Sequence, residues 1–159
     1  MWPEAYSVIG AAAVLQEFWK TLASDGVTPA GLGVWSTLRV EAGRPVFGTD
    51  MDEQTIPIEA GIHKRSIDYE KGCFTGQEVI IRIRDRGHVN RSLKTLRFGD
   101  VPTPRSGTDL YDEDSGKAVG FITSAVHSPK FGEVIGLAYV RRGPEVVTRN
   151  GQGVTVPQE

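Results

Sequence analysis

Few of the features that mark secreted, membrane or metal-cluster proteins occur in this sequence. Its 159 residues include one cysteine, which excludes an internal disulfide and a zinc site of the CxxC…CxxC kind. The longest apolar stretch, residues 8–15, falls well short of the about 20 residues that a membrane-spanning helix needs. The amino terminus also lacks the basic-then-apolar order of a signal peptide. We therefore expect a cytoplasmic protein, or a mitochondrial matrix protein if the source is eukaryotic, with no membrane partner.

The sequence also has little excess charge of either sign. Its net charge is −2, which gives no general attraction to nucleic acid. Six basic residues nevertheless fall within residues 82–97, with only Asp85 opposing them. They are Arg82, Arg84, Arg86, Arg91, Lys94 and Arg97. This patch suits a phosphate, polyglutamate or RNA contact, but we favour a solvated face with local salt bridges and do not expect an RNA contact.

Turn-forming residues are plentiful, and they punctuate the second half of the chain. Hydrophobic residues make up 39% and charged residues 24%, as in an ordinary globular protein, and there are 19 glycines and 9 prolines. Six short β-rich runs follow a boundary near residues 87–90, and Asn150-Gly151 is a strong hairpin signal. The runs are residues 92–98, 108–111, 117–126, 133–140, 145–148 and 153–156. This pattern predicts a small β-barrel or sandwich after an α-rich half, and so an α+β fold.

The first half of the chain predicts two helices. A possible strand at residues 6–9 precedes a helix over residues 11–22, whose apolar stripe requires a sheet to pack on. One short strand is a poor partner, so we expect part of a sheet to be missing. A second helix follows Pro29, and from its spacing we expect Trp35 to lie in the core.

An acidic segment follows the second helix. Asp50, Asp52 and Glu53 suggest a metal site, but their spacing lacks the glycine and the distal glutamate of a calcium loop. We therefore expect a solvated loop and no bound metal.

The most informative stretch is residues 71–78, with the sequence KGCFTGQE. Thr75 and Glu78 fit a capping box, which predicts a helix that starts at Gly76, although residues 79–84 also alternate as a strand would. Cys73 lies just before that start, where the positive helix end and Lys71 would favour a reactive thiolate. An equally good interpretation is a small buried hydrophobic residue.

Several motifs together resemble one family, the folate-binding proteins that include the glycine-cleavage T-protein and the YgfZ-like iron–sulfur maintenance proteins. Residues 71–78 resemble the YgfZ-like signature K-G-C-[FY]-x-G-Q-E, and residues 86–91 are similar to the RG-x-x-N-[KR] run that follows it. Residues 38–43 resemble the LR-x-EAG motif of both branches. Residues 48–52 and 55–60 look more like the T-protein branch. The match covers nearly the whole chain, and it extends to barrel-strand motifs at residues 120–124 and 136–140.

The resemblance implies a three-domain arrangement with folate in a central channel. Residues 1–88 would be the remnant of a ferredoxin-like middle domain, and residues 89–159 a six-stranded antiparallel barrel. The catalytic aspartate and a pteridine-contacting glutamate of the T-protein would lie upstream of this chain. Tetrahydrofolate or a derivative would bind beside Trp35, Arg39 and Glu41, with Trp35 in place of a T-protein arginine.

Three functional hypotheses follow from these residues. The first is a folate-binding YgfZ-like protein that supports iron–sulfur enzymes or their assembly factors. Cys73 and Lys71 would then carry the chemistry of the motif. Three further motif residues, Gly76, Gln77 and Glu78, would support the loop that holds them. The second is an aminomethyltransferase that transfers a one-carbon unit to tetrahydrofolate. The third is a non-enzymatic interaction module, folded as a homodimer that covers an exposed sheet edge.

Overall fold

The structure is a computed structural model that describes residues 6–143, 146–149 and 152–155. The helices are α1 (Ala12–Ser24), α2 (Leu32–Glu41), α3 (His63–Ser66) and α4 (Gln77–Arg86). The strands are β1 (Arg91–Gly99), β2 (Asp109–Asp112), β3 (Ala118–Ser128), β4 (Glu133–Arg141), β5 (Val146–Arg149) and β6 (Gln152–Thr155). The predicted α+β class is confirmed. Residues 6–9 form no strand, so that possibility is wrong. Residues 79–84 are helical, which decides between the helix and the strand that the sequence left open.

The strands pair antiparallel in the spatial order β1-β4-β3-β2-β5-β6. Arg97 on β1 lies opposite Thr155 on β6, and among the described residues this pair closes the sheet on itself. Each β-rich run of the sequence corresponds to one strand within one or two residues. The turns between the runs carry glycines with positive φ, such as Gly116 at 65° and Gly132 at 68°, which explains why the turn signals located the strands well.

Strand β4 is buried on both faces, and it organises the core. Val134, Ala138 and Val140 belong to the cluster of buried apolar side chains that also contains Leu96, Ile122 and Leu110. The alternate residues Ile135 and Leu137 pack instead with Val40 of α2. Since successive strand residues point to opposite faces, β4 joins the barrel interior to the helix that covers its outside.

Helix α1 contrasts with the barrel because none of its residues is buried. Phe18 is 42% exposed and Trp19 57% exposed, so the apolar stripe has no sheet to cover it among the described residues. On α2, Trp35 is 49% exposed, and the expectation that it lies in the core is wrong. The three-residue spacing of that helix identified its apolar residues but could not say which of them faced the barrel.

Of the helices in the described ranges, none is long and apolar enough to cross a membrane.

Candidate functional site

A buried ion pair fixes α2 against the barrel. The guanidinium of Arg39, 7% exposed, contacts the carboxylate of Asp50, which is 2% exposed. Arg39 Nη2 also donates a hydrogen bond to Ser124 Oγ at 2.7 Å. The Asp50 carboxylate accepts hydrogen bonds from Ser124 Oγ and Thr123 Oγ1, both at 2.6 Å, and from the Val46 N–H at 2.9 Å. Every oxygen of this buried carboxylate therefore has a partner, as a buried charge requires.

Asp50 corrects the expectation of a solvated acidic loop. That expectation holds for Asp52, which is exposed and accepts a hydrogen bond from Thr55 Oγ1 at 2.9 Å. This bond, together with the backbone bond from Gln54, lowers the pKa of the Asp52 carboxyl. Asp50 differs because the loop turns it inward beneath α2. Within the described ranges, no group of three or more acidic, histidine or cysteine side chains is arranged to hold a metal ion.

Glu41 also attaches α2 to the barrel, at the carboxyl end of the helix. Its Oε1 accepts a hydrogen bond at 2.5 Å from Ser128 Oγ, and Ser128 is fully buried. The Ser128 hydroxyl in turn accepts a bond from the Phe131 N–H at 3.2 Å. The helix dipole disfavours a carboxylate at this end, and the hydrogen bond from Ser128 offsets that disadvantage. Arg39 and Glu41 thus attach α2 to β3, and the indole of Trp35 remains the accessible one of the three predicted folate contacts.

Beyond this junction, Tyr139 lies on the outer face of β4. Its ring contacts the Arg91 guanidinium at 4.8 Å from the ring centroid, and Arg91 Nε donates to Glu59 Oε2 at 3.1 Å. The Tyr139 hydroxyl is buried, and in the described part of the chain it makes no hydrogen bond of normal geometry, although the Thr55 side chain is close enough to lower its pKa. Burial raises the pKa of the Tyr139 phenol.

Cys73 lies on the loop that carries the KGC motif, and its free thiol is exposed. The alternative of a buried hydrophobic cysteine is therefore wrong. Gly76 precedes α4 with φ +82°, a left-handed conformation that glycine adopts without strain, and the helix starts at Gln77. Thr75 makes no capping hydrogen bond, so the predicted capping box is wrong as well.

Gln77 and Glu78 were expected to support this loop, but only Gln77 contacts it. Gln77 Oε1 accepts a weak bond from the Phe74 N–H at 3.4 Å, which ties the loop to the first turn of α4. Glu78 instead pairs with Arg82 along the helix at 2.6 Å, and both side chains are exposed. A left-handed Gly76 turns the chain before the helix, which separates Thr75 from the N–H groups that it would have capped.

A cavity of about 300 Å³ lies beside this loop. Its lining residues are Pro57, Ser66, Ile67, Asp68, Lys71, Phe74, Thr75, Gly76 and Ile80. The Lys71 ammonium lies 5.5 Å from the centroid of the Phe74 ring. Lys71 and Gly76 therefore line the same cavity. Cys73 lies on the same loop, but it is exposed and is not one of the residues that line the cavity.

The basic patch consists largely of ion-paired residues. Arg82 pairs with Glu78, and Arg84 Nε lies 2.5 Å from Asp85 Oδ1. The strand residues are paired too, Arg91 with Glu59 and Arg97 with Glu133. The local salt bridges that were expected for a solvated face are thus present.

The sequence interpretation missed the partners of the arginine that it singled out. Thr123 and Ser124 were recognised only as part of a barrel strand, and Asp50 as part of a loop. One feature of the sequence could have identified Asp50 as the partner of Arg39. An arginine one turn beyond the apolar residues of α2 needs a carboxylate if it is buried, and Asp50 is the first acidic residue after the helix.

Comparisons with known proteins agree on one family. A family model described as the glycine cleavage T-protein C-terminal barrel domain matches residues 91–158. An aminomethyltransferase of Thermosynechococcus vestitus is 38% identical over 137 residues, which cover 86% of this chain and 36% of the relative. An aminomethyltransferase of Prochlorococcus marinus is 33% identical over 157 residues, which cover 96% of this chain and 39% of the relative.

A solved structure extends this similarity to the fold. The crystal structure of glycine cleavage system aminomethyltransferase T from Bartonella henselae matches with a TM-score of 0.74 and 27% identity, over 92% of this chain and 42% of that chain. The chain spans little more than a third of the length of the two curated relatives, 36% and 39%. The match includes both the helices and the barrel, and not the barrel alone. The barrel of this chain is therefore similar to the C-terminal barrel domain of glycine cleavage T-proteins, and the chain as a whole is similar to part of the longer aminomethyltransferases.

Proposed function

We propose that this chain contributes the barrel side of a tetrahydrofolate site in a YgfZ-like protein that supports iron–sulfur enzymes. In this proposal residues 1–88 are the end of a ferredoxin-like middle domain, and residues 89–159 form a six-stranded barrel. The folate part of the proposal is supported by the family. The YgfZ-like part is supported by one observation, the exposed thiol of Cys73 in the KGC motif.

Burial and hydrogen bonding on α2 support one of its residues as the proposed ligand contact. Arg39 and Glu41 are engaged with Asp50 and Ser128, so their role is to position the helix. The half-exposed indole of Trp35 can stack on a flat pteridine ring, since aromatic faces attract one another in offset geometry. Trp35 is therefore the residue that we expect to contact folate directly.

Calorimetric titration with 5-formyltetrahydrofolate tests this assignment. We expect Trp35→Ala to weaken binding about tenfold, the loss expected for one good aromatic stacking contact. Trp19→Ala is the matched control, because Trp19 is a similarly exposed indole on α1. An equal loss in both variants, or no binding by the folded wild-type chain, would contradict the proposal.

The motif loop requires a separate test. The Cys73 thiol is exposed, so an alkylating probe should reach it in the folded chain. The alkylation rate at neutral pH is compared between the wild type and Lys71→Gln. A rate no higher than that of a free thiol in a small peptide argues against a reactive cysteine.

A second candidate is an aminomethyltransferase, which the names of the similar curated proteins favour. The two candidates differ in their need for Cys73. In cells that depend on the gene, Cys73→Ser should abolish support of iron–sulfur enzyme activity if the YgfZ-like proposal is right. Retained iron–sulfur activity, with loss of glycine cleavage on deletion of the gene, would favour the aminomethyltransferase.

A further inference from the structure

A groove on the outer face of the barrel lies apart from both proposed sites. It has a volume of about 250 Å³ and is formed by the adjoining ends of β1, β3 and β4. Its lining residues are Arg91, Ala118, Val119, Gly120, Phe121, Tyr139 and Arg141. None of these residues belongs to the KGC motif or to α2, so neither proposed role accounts for the groove.

Two arginines face each other across this groove. Arg91 on β1 and Arg141 on β4 are direct cross-strand partners, and like charges in such positions are destabilising. Glu59 compensates Arg91 through the 3.1 Å contact with its Nε, and Arg141 is exposed at the end of its strand. An anion between the two guanidinium groups would relieve their repulsion and accept charge-assisted hydrogen bonds from both.

The Arg91 guanidinium is held in place before any ligand arrives. It lies 4.8 Å from the centroid of the Tyr139 ring, and Glu59 fixes its Nε side. The terminal nitrogens of an arginine form a planar fork that matches a carboxylate or a phosphate. Such preorganisation reduces the conformational entropy that binding would otherwise cost.

The other residues that line the groove are Ala118, Val119, Gly120, Phe121 and Tyr139, and two of them are aromatic. The rings of Phe121 and Tyr139 are 5.7 Å apart and inclined at 37°. At Gly120 the backbones of β3 and β4 approach so closely that a Cβ would lie 2.0 Å from the Tyr139 carbonyl oxygen, so this position tolerates no side chain. A planar group of a ligand can stack on the Phe121 ring.

We propose that this groove binds the anionic end of a ligand in which a carboxylate or phosphate is attached to a flat apolar body. The volume is smaller than the about 300–1,000 Å³ of sites that enclose a whole drug-sized molecule, so one end of the ligand enters and the remainder extends outside. The anion lies between Arg91 and Arg141, and the planar part packs against Phe121. This assignment stands whether or not the chain binds folate, because it depends on the groove alone.

The test is a titration of the isotope-labelled chain, followed by NMR, with 4-aminobenzoate, acetate and inorganic phosphate as probes. We expect shifts centred on the Gly120 amide, and tighter binding of 4-aminobenzoate than of acetate. Stronger binding of phosphate would identify a phosphate as the anion, and stronger binding of the benzoate would identify a carboxylate on a ring. Shifts spread over the surface without a maximum at the groove would overturn the proposal.

Charge-matched variants locate the anion. Arg141→Gln should weaken binding of the preferred probe about tenfold, the effect of losing one charged hydrogen-bond donor. Arg142→Gln removes the same charge from the next residue, which does not line the groove, and should change the affinity less than about twofold. Equal losses in the two variants would mean a diffuse electrostatic effect and would overturn the proposal.

A variant of the apolar wall provides a readout that does not depend on charge. Phe121→Leu keeps a hydrophobic side chain and should weaken 4-aminobenzoate at least threefold while leaving acetate unchanged, because only the benzoate has a ring to stack. If 4-aminobenzoate binds this variant as tightly as the wild type, the flat-body part of the proposal is wrong.

Discussion

The barrel and the amino-terminal helices of this chain are held in different ways. Strand β4 is buried on both faces, whereas α1 has no buried residue and exposes Phe18 and Trp19. Helix α2 is intermediate in burial, because Val40 and Arg39 are buried against the barrel while Trp35 is half exposed. The difference teaches that the fold is secured within the barrel and at the α2 junction, and that the open helical surface is available for binding.

The largest expected effect comes from breaking the buried ion pair at the junction. Asp50→Ala leaves the Arg39 guanidinium buried without its carboxylate, which we expect to lower the free energy of unfolding by about 3–5 kcal/mol. Asp52→Ala removes a carboxylate two residues away, but an exposed one, and should leave the stability nearly unchanged. Urea denaturation of both variants checks the contrast.

The double variant Arg39→Met with Asp50→Leu sharpens this result. If the cost in Asp50→Ala arises from an uncompensated charge, removal of both charges should restore part of the lost stability. A double variant that is less stable than Asp50→Ala would show that the hydrogen bonds to Thr123 and Ser124 matter more than the unpaired charge.

The next effect contrasts the two apolar regions directly. Leu96 is fully buried in the barrel, so Leu96→Ala should cost about 2–5 kcal/mol of unfolding free energy. Phe18→Ala removes a larger side chain from α1, but one that is 42% exposed, and should cost less than about 1 kcal/mol. Thermal unfolding measures both, and a comparable loss in Phe18→Ala would mean that α1 is packed more tightly than its exposure indicates.

The barrel was predictable from the sequence because its signals are local. Glycine, proline and asparagine mark the turns, and the runs between them are short and rich in strand-forming residues, so the strands of the described residues were located within one or two residues. The strand alternative for residues 79–84 failed because β-branched residues alternate with arginines there, a pattern that an exposed helix also tolerates. Local propensity could not decide between the two.

The candidate site was less predictable because its contacts are remote in sequence. Arg39 and Ser124 are 85 residues apart, and Glu41 and Ser128 are 87 apart. The motif resemblance selected Arg39 and Glu41, but only the fold shows that their charges are already engaged. The capping box at Thr75 failed for a related reason, since the left-handed Gly76 changes the direction of the chain before the helix begins.

The smallest expected effect concerns Tyr139, where the barrel meets the loop of Glu59. Tyr139→Phe removes a buried hydroxyl that makes no hydrogen bond of normal geometry among the described residues, with Thr55 as its nearby polar side chain, so stability at neutral pH should stay the same or rise by about 1 kcal/mol. Burial raises the folded-state pKa of this phenol above 10.0, so the unfolded chain loses the proton first as the pH rises. Wild-type stability should therefore fall above about pH 10, and the fall should be smaller in Tyr139→Phe than in the exposed control Tyr111→Phe. Urea denaturation at neutral pH and near pH 11 measures both effects, and a clear loss of stability in Tyr139→Phe at neutral pH would show that the hydroxyl has a partner in solution.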